Sequence, residues 1–514
     1  MSQITKYRIG SKSFQRGLER DLSALSLIFL ITFSAFLNLF RVGFMNDDFD
    51  FLFTWNAVHD FNHIPLLLTG NTPILQEGVF RPIRSLFYVL SYNLWHLNLT
   101  AYHIQELFIY FLSLLFVYLI TKELVKNRLI SFITTLFFGI LPLHIDNVAN
   151  LTGNFDTVGA VFFFIAFYLF QLSLRMKQKK LLLLLSTLFA GFAYFIYEIT
   201  LVFPLLLLLY VFYTRKKLHR FVASAHVFLA VSYLSIRFLA HIPSRGVILD
   251  NTILWKLILT VIGVFSYLLR TLIHNQIQPI TVLIYSLAGP LHLNNTPKIE
   301  LSLNDLTFRY QFIFATIAII LTLIVAFRNL SKHYFSGFCL LWFYIGILPA
   351  IFIGIHSSSH FFGALPMFDR YAFIASYGIC LLIGNYCYKI LIMQPKSLLG
   401  ISLKTYALIM VCALFFLDFF VTSYNLSNLK DPNIVMRTWL LLTKPSEFKY
   451  NDLGVVSAYS RHFSEAVSNF KYALTINRNY AIAQSNLQIL CQYFHRYPQI
   501  SESQLLLRQC KEKL

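Results

Sequence analysis

The chain has 514 residues, of which 57% are hydrophobic and only 13% charged, with a mean hydropathy of +0.63. Soluble proteins run about 45–50% apolar and about 25% charged, so a soluble globule, a disordered chain and a disulfide scaffold are excluded in favour of a polytopic membrane protein. The net charge of +19 fits Lys and Arg that retain cytoplasmic loops and touch anionic lipid, and not a nucleic-acid partner, because no basic patch lies on a soluble module.

The first apolar run, 22–43, follows Lys6, Arg8, Lys12, Arg16 and Arg20. It is too long for a signal-peptide core and has no small-x-small cleavage site, so it reads as a retained anchor with a cytoplasmic N-terminus. Further runs able to cross about 30 Å of hydrocarbon fall near 103–121, 129–143, 156–174, 181–196, 199–213, 221–240, 308–328, 334–355, 370–390 and 404–424. Between them, basic residues gather in 122–128, 175–180, 214–220, 328–333 and 389–404. The opposite loops hold Asp47, Asp48, Asp50, Asp60, Glu77, Asp146, Asp156, Glu198 and Asp369. The positive-inside rule places those loops outside, and the chemistry with them.

The stretch 254–293 is interrupted by Lys256, Arg270, His274 and Pro279, which permits two crossings, a re-entrant pair or helices lying on the outer face. The expected fold is all-α, with eleven transmembrane helices or thirteen, and its C-terminus outside. The expected divisions are a cytoplasmic segment 1–21, a membrane domain 22–424 with a long first outer loop 44–102, a linker 425–445 and a soluble helical module 446–514. In that module Leu453, Gly454, Phe463, Glu465, Ala466, Phe470, Ala473 and Leu474 occupy the small and large positions of a 34-residue helix-turn-helix repeat. The period recurs from Leu453 to Leu487, Tyr459 to Tyr493 and Phe463 to Tyr497. This is tetratricopeptide (TPR) spacing; a plain amphipathic hairpin is the alternative. So short a stack rarely stands alone, and it is expected to pack on the membrane domain. Cys339, Cys380, Cys387 and Cys412 lie in apolar runs as small buried hydrophobes, and Cys491 and Cys510 lack metal-ligand spacing.

Four strings carry chemistry. Asn46-Asp47-Asp48-Phe49-Asp50 follows the first helix at the outer, water-accessible boundary. Adjacent carboxylates there suit a general base, or oxygen ligands for a divalent cation such as Mg or Mn; a solvated helix cap is the bland reading. Its D-x-D string also occurs in soluble nucleotide-sugar transferases and is weak by itself. Next come Phe80-Arg81-Pro82-Ile83-Arg84 with Asn98 to Glu106, then Leu141-Pro142-Leu143-His144-Ile145-Asp146 running on to Asp156, and finally Phe368-Asp369-Arg370-Tyr371 to Ser376.

Together, and in this order, the strings resemble those of the transmembrane and tetratricopeptide-repeat-containing O-mannosyltransferases and their bacterial relatives, of the lipid-donor (GT-C) glycosyltransferase superfamily. Asp47 and Asp48 match an acidic pair, Arg81-Pro82 a Y-R-P motif, His144, Asp146 and Asp156 an H-P-x-H-x-E motif with its tail, and Asp369-Arg370-Tyr371 an E-R-Y block. Phe80 for Tyr, Asp for Glu twice, Asn154 for Arg, Ala375 for Pro and Glu106 for Asn are departures. The resemblance implies transfer of a mannose-like hexose from a polyprenyl-phosphate donor to an extracytoplasmic protein or glycan hydroxyl. It implies Asp47 or Asp48 as base, and Arg370, Arg237 or Arg81 on the leaving phosphate. His144, Asp146, Asp156, Glu106 and Asp369 would support the site or orient the acceptor; the plainer readings are a satisfied loop histidine in place of a metal ligand for His144, and a structural ion pair or snorkelling for Arg237 and Glu106. The TPR module would hold an acceptor or partner protein, and a bacterial cytoplasmic membrane is expected before the endoplasmic reticulum. The rivals are a glycan polymerase or ligase of the same chemistry, a non-catalytic TPR scaffold, and a transporter. A transporter would place its charges at the bilayer midplane.

Overall fold

The computed structural model describes residues 2–44, 48, 51–52, 58–69, 80–176, 179–216, 220–239, 261, 264–265, 268, 306–356, 369–392, 397–398, 401–429, 447–459, 462–496 and 507. Asp47, Asp50 and nearly all of 254–293 lie outside these residues, and so do the expectations that rest on them. Among the described residues twelve helices of twelve or more residues form the membrane body: α1 (Ser2–Ala35), α2 (Pro82–Trp95), α3 (Leu99–Val125), α4 (Arg128–Ile140), α5 (Leu151–Ser173), α6 (Lys179–Ile196), α7 (Phe203–Thr214), α8 (Arg220–Leu239), α9 (Leu306–Ser331), α10 (Phe335–His356), α11 (Phe373–Ile392) and α12 (Leu403–Asn428), beside the short helices Ile64–Thr69 and Ile145–Ala149. Three more follow: α13 (Glu447–Tyr459), α14 (Phe463–Ile476) and α15 (Ala481–Arg496). Among the described residues the one departure from all-helical structure is a two-residue antiparallel pair, Ser397–Leu398 with Ile401–Ser402.

Seven described helices are long and apolar enough to cross a membrane, or eight if a bent pair counts as one span. Three shorter apolar helices, Glu198–Thr214, Ser224–Leu239 and Phe335–Ile351, cover the remaining apolar runs of the sequence. The bend, 54° between Arg128–Ile140 and Pro142–Ala149, has a local cause. Pro142 has no N–H to give to the preceding turn, so the α4 ladder stops at Ile140. The chain is thereby turned back toward α5, carrying His144 and Asp146.

Helix ends are written in the sequence. Asn98 caps α3 by accepting the Ala101 N–H, and Lys126 closes it in the left-handed region at φ 52°. Asn127 then caps α4 through the Leu129 and Ile130 N–H groups. A link of two residues, Lys126 and Asn127, thus reverses the chain between two spans.

α5 is the most enclosed helix, surrounded by α3, α6 and α11 with Phe163, Phe164, Phe167, Trp342 and Tyr377 packed edge to face around it. Lipid tails are as apolar as Leu, so association rests on packing and on hydrogen bonds between helices. Trp342 Nε1 donates to the Ile374 carbonyl at 3.0 Å, Thr121 and Tyr377 hydroxyls meet at 3.1 Å, and Thr422 donates to the Ile140 carbonyl at 2.8 Å. At the basic end of the bundle Asp21 accepts from Tyr118 and Arg128, each at 2.8 Å, and from Lys122, which ties α1 to α3 and α4. Cys339, Cys380 and Cys387 are buried as expected, whereas Cys412 is exposed on the outward face of α12.

A second apolar cluster lies at the acidic end. Phe51 sits 4.8 Å from Tyr88 and 5.7 Å from Phe155 by ring centroids, with Phe44, Tyr102 and Leu151 around them. Leu453 and Val456 of α13 complete this cluster, so the C-terminal module packs on the membrane domain, as expected. The same helix crosses α14 closely: a Cβ at Gly454 would stand 2.6 Å from the Phe470 ring. α15 begins 34 residues after α13, and Cys491 within it is disulfide-bonded.

Candidate functional site

Charged side chains from four separate loops converge at the acidic end of α5. Arg81 and Arg84 flank Pro82 and Ile83 at the start of α2, one turn apart and hence on one side. Both donate to the same oxygen of Asp156, Oδ1, at 2.6 Å. Arg81 also grips Glu198 with a two-point fork, Nε to Oε2 at 2.5 Å and Nη2 to Oε1 at 2.6 Å. Glu198 belongs to the short turn joining α6 to α7, just after Tyr197. The Arg81 guanidinium lies over the Tyr197 ring, 5.2 Å from its centre, and the Tyr197 hydroxyl donates to the Arg370 carbonyl at 3.3 Å.

Arg370 is held differently. It stands in the turn Asp369–Ala372 that leads into α11, with Nη1 3.8 Å from Asp146 Oδ2 and Nε 3.9 Å from Asp156 Oδ2. Those are charge contacts, longer than hydrogen bonds. Asp146 is the most open carboxylate of the group at 25% side-chain exposure, against 1% for Asp156. The carboxylates therefore run from the buried Asp156, held by two arginines, to Asp146, which reaches solvent. Burial alone would raise the Glu198 carboxyl, but the charge and hydrogen bonds of Arg81 outweigh it and hold it down to about 2. Taking such charges out of water is costly, and a cluster of this kind marks a functional site more often than a stabilising one.

Asp48 lies beside this cluster, and not as expected. It is not at a water-accessible boundary but buried, 1% exposed. Its Oδ1 accepts the Thr152 N–H at 3.2 Å, in the first turn of α5. A helix start offers free N–H groups and a positive dipole end, which explains how a carboxylate is tolerated there. Asn150 caps the same turn through the Gly153 N–H at 3.0 Å. A Cβ at Gly153 would stand 2.4 Å from the Asp146 carbonyl oxygen, so only glycine allows the Pro142–Ala149 arm to lie this close to α5.

The remaining expected residues divide. His144 is fully buried, with Nδ1 3.0 Å from the Tyr110 hydroxyl and Nε2 2.9 Å from Ser376 Oγ, so both nitrogens have protein partners, within the bundle and not in a solvated loop. Glu106 is 1% exposed and paired with His103, one turn away on the same helix. Arg81 has its donors committed to Asp156 and Glu198. Arg237, at the end of α8, acts on Tyr233, whose hydroxyl donates to the Phe80 carbonyl at 3.0 Å beside Arg81. Asp369 stands in the Arg370 turn. Arg84, Glu198, Tyr197 and His103 were not singled out. Glu198 had a signal, a charge wedged between two apolar runs, and Arg84 had one in the Arg81 string. Among the described residues no group of three or more His, Cys, Asp or Glu could hold a metal ion. Asp156 turns its oxygens to guanidinium groups, which is no donor set for a cation.

No family model matches the chain. In sequence it is similar to the protein O-mannosyl-transferase TMTC1 of Mus musculus, 31% identical over 96 residues, which is 18% of this chain and 10% of the relative. The Homo sapiens TMTC1 is 30% identical over 96 residues, 18% and 11% of the two chains, and the Drosophila melanogaster Tmtc1 24% over 154 residues, 29% and 18%. The matched part spans between 10% and 18% of the length of these curated relatives. A solved structure, the archaeal oligosaccharyltransferase AglB of Archaeoglobus fulgidus with an inhibitory peptide and a dolichol-phosphate, aligns at a TM-score of 0.42 and 14% identity over 86% of this chain and 59% of its own. The resemblance drawn from the ordered motifs is thus met by relatives that carry the O-mannosyl-transferase name, on a chain whose helices form a multi-pass membrane protein.

Proposed function

We propose that this chain is a GT-C membrane glycosyltransferase that moves a mannose-like hexose from a polyprenyl-phosphate donor to an extracytoplasmic protein or glycan hydroxyl. The observation that carries the reading is the convergence of three guanidinium groups, Arg81, Arg84 and Arg370, beside Asp146, the most open carboxylate of the group, with Arg370 3.8–3.9 Å from Asp146 and Asp156. The acceptor oxygen attacks the anomeric carbon, its proton passes to Asp48 or the adjacent Asp47, and the bond to the phosphate oxygen breaks with the electron pair leaving on the phosphate. Arg370, with Arg237 as the second candidate, neutralises that charge by bidentate hydrogen bonds. Arg81, Arg84, Asp156 and Glu198 fix the frame, and Asp146 and Asp369 orient Arg370.

Two features support an extracytoplasmic site. The cluster lies at the end of the bundle opposite the basic loops, and the disulfide at Cys491 suits an oxidising compartment for the helices packed against it. The three C-terminal helices are read as TPR-like and as the holder of the acceptor or a partner protein. A glycan polymerase or ligase would use the same residues and differs in the acceptor alone.

The test is incubation of the purified protein with a polyprenyl-phosphate hexose, scored by release of polyprenyl phosphate and by sugar on protein or glycan acceptors. Wild type should release it, and Asp48→Asn should not, while remaining folded. Asn keeps an acceptor oxygen for the Thr152 N–H, so melting should shift by no more than about 1 kcal/mol. Full activity in Asp48→Asn would remove Asp48 from the mechanism; no release by wild type from any such donor would overturn the reading.

A further inference from the structure

A buried pair on α3 has a geometry that the transfer reaction itself does not use. His103 and Glu106 lie one turn apart on α3, each 1% exposed, with Nδ1 2.7 Å from Glu106 Oε2. On its other side, His103 Nε2 is 2.9 Å from the carbonyl oxygen of Val42. That carbonyl can only accept, so Nε2 carries a proton and the tautomer is set. Phe40 meets the imidazole edge-on at 6.2 Å, which leaves the ring little room to rotate. Val42 ends the short turn Leu37–Arg41 that follows α1, and the chain runs from there through Phe44 to Asp48. Phe44 in turn packs on Tyr102, the neighbour of His103, at 6.4 Å. The charge of Asp48 acts on both Tyr102 and His103.

We propose that His103 is a positioning residue for Asp48 and that Glu106 is its orienter. Glu106 fixes the imidazole, the imidazole holds the Val42 carbonyl, and Val42 so fixed, six residues before Asp48, sets where Asp48 can meet the first turn of α5. The pair is net neutral whether its shared proton sits on the ring or on the carboxyl, so its contribution is placement and not charge. Misplacing a reacting group by about 1 Å can cost about 100-fold in rate. The inference rests on the transferase reading, and the test separates the two.

Glu106→Gln keeps both hydrogen bonds of a neutral His103, since the amide N–H can serve Nδ1 while Nε2–H stays on Val42. Glu106→Leu removes the orienter and keeps the apolar volume. In the full-length protein, with a polyprenyl-phosphate hexose as donor, Glu106→Leu and His103→Phe should lower kcat by about 100-fold with donor KM changed less than about 3-fold. Glu106→Gln should stay within about 3-fold of wild type in both. Amide exchange across 42–52, which needs no activity, should quicken in Glu106→Leu and His103→Phe and not in Glu106→Gln. Wild-type kcat in Glu106→Leu, or Glu106→Gln as inactive as Glu106→Leu, would overturn the positioning role, the latter by making the shared proton essential. Unchanged exchange in Glu106→Leu would overturn the anchor whatever the activity. A wild type that releases no polyprenyl phosphate, with exchange responding as described, would sink the transferase reading and leave the anchor standing.

Discussion

Arg370 and Arg81 differ in reach, and the difference is measurable. Arg81 is closed on three carboxylate oxygens, whereas Arg370 makes its two carboxylate contacts at 3.8 and 3.9 Å. Arg370→Lys keeps the charge but not the planar fork. It should raise donor KM or lower kcat about 10-fold, and Arg370→Ala more, with melting nearly unchanged; wild-type kinetics in both variants would move the phosphate to Arg237. Glu198 should behave in the opposite way, through stability. Its carboxyl is held at about 2, below its ordinary value of 4.5, so the ion pair stabilises the fold above the ordinary value and loses that effect as pH falls from there toward 2. Glu198→Gln should therefore cost about 3 kcal/mol at pH 7 by leaving Arg81 half-paired. The gap between the two proteins should narrow as pH falls below about 4.5 and close only near about 2; a gap that persists unchanged across that window would mean that the pair is not what Gln removes. These partners could not be named from the sequence. Asp156 lies 75 residues from Arg81 and Glu198 lies 117, and spacing alone does not say which carboxylate a guanidinium meets.

At the scale of one element, the first turn of α5 gathers what the strings in the sequence left apart. Its Thr152 N–H holds Asp48, Asn150 caps it, Gly153 admits the Asp146 carbonyl and Asp156 follows one turn later. Gly153→Ala tests that convergence. Alanine favours a helix, yet its Cβ would meet backbone and not a flexible side chain, so the arm must move. The cost should be about 1–3 kcal/mol in melting, with a loss of donor-lipid release that Gly191→Ala, whose Cβ would meet only the tip of Leu229 at 3.8 Å, does not match. The apolar runs, the Pro142 break and the Asn caps were legible, because length, hydropathy and backbone chemistry are local. The burial of Asp48 was not. A carboxylate after a span reads as solvated, and the N–H that accommodates it lies 104 residues away.

For the whole molecule the alternation of basic and acidic loops predicts one orientation, with the C-terminal helices on the side of Asp48. Asn479 is exposed between α14 and α15. In a background with the exposed Cys412 changed to Ser, Asn479→Cys should react with a membrane-impermeant thiol reagent in intact cells. Labelling only after permeabilisation would place the module in the cytoplasm and reverse the topology. The 34-residue spacing was visible in advance, and so was the need for a supporting surface; which surface was not, because Leu453 and Val456 look like any repeat core until Phe51, Tyr88, Tyr102 and Phe155 appear opposite them. That shared cluster has a consequence for how the protein is made. Synthesis is vectorial, so the bundle is inserted while the aromatic face that awaits α13 is still bare, and it stays bare until the ribosome has delivered residue 459. A chain stopped before Glu447 would keep every span and every charged residue of the site, and still present a sticky aromatic surface to chaperones and proteases. Loss of the last helices should thus read in a cell as loss of the protein.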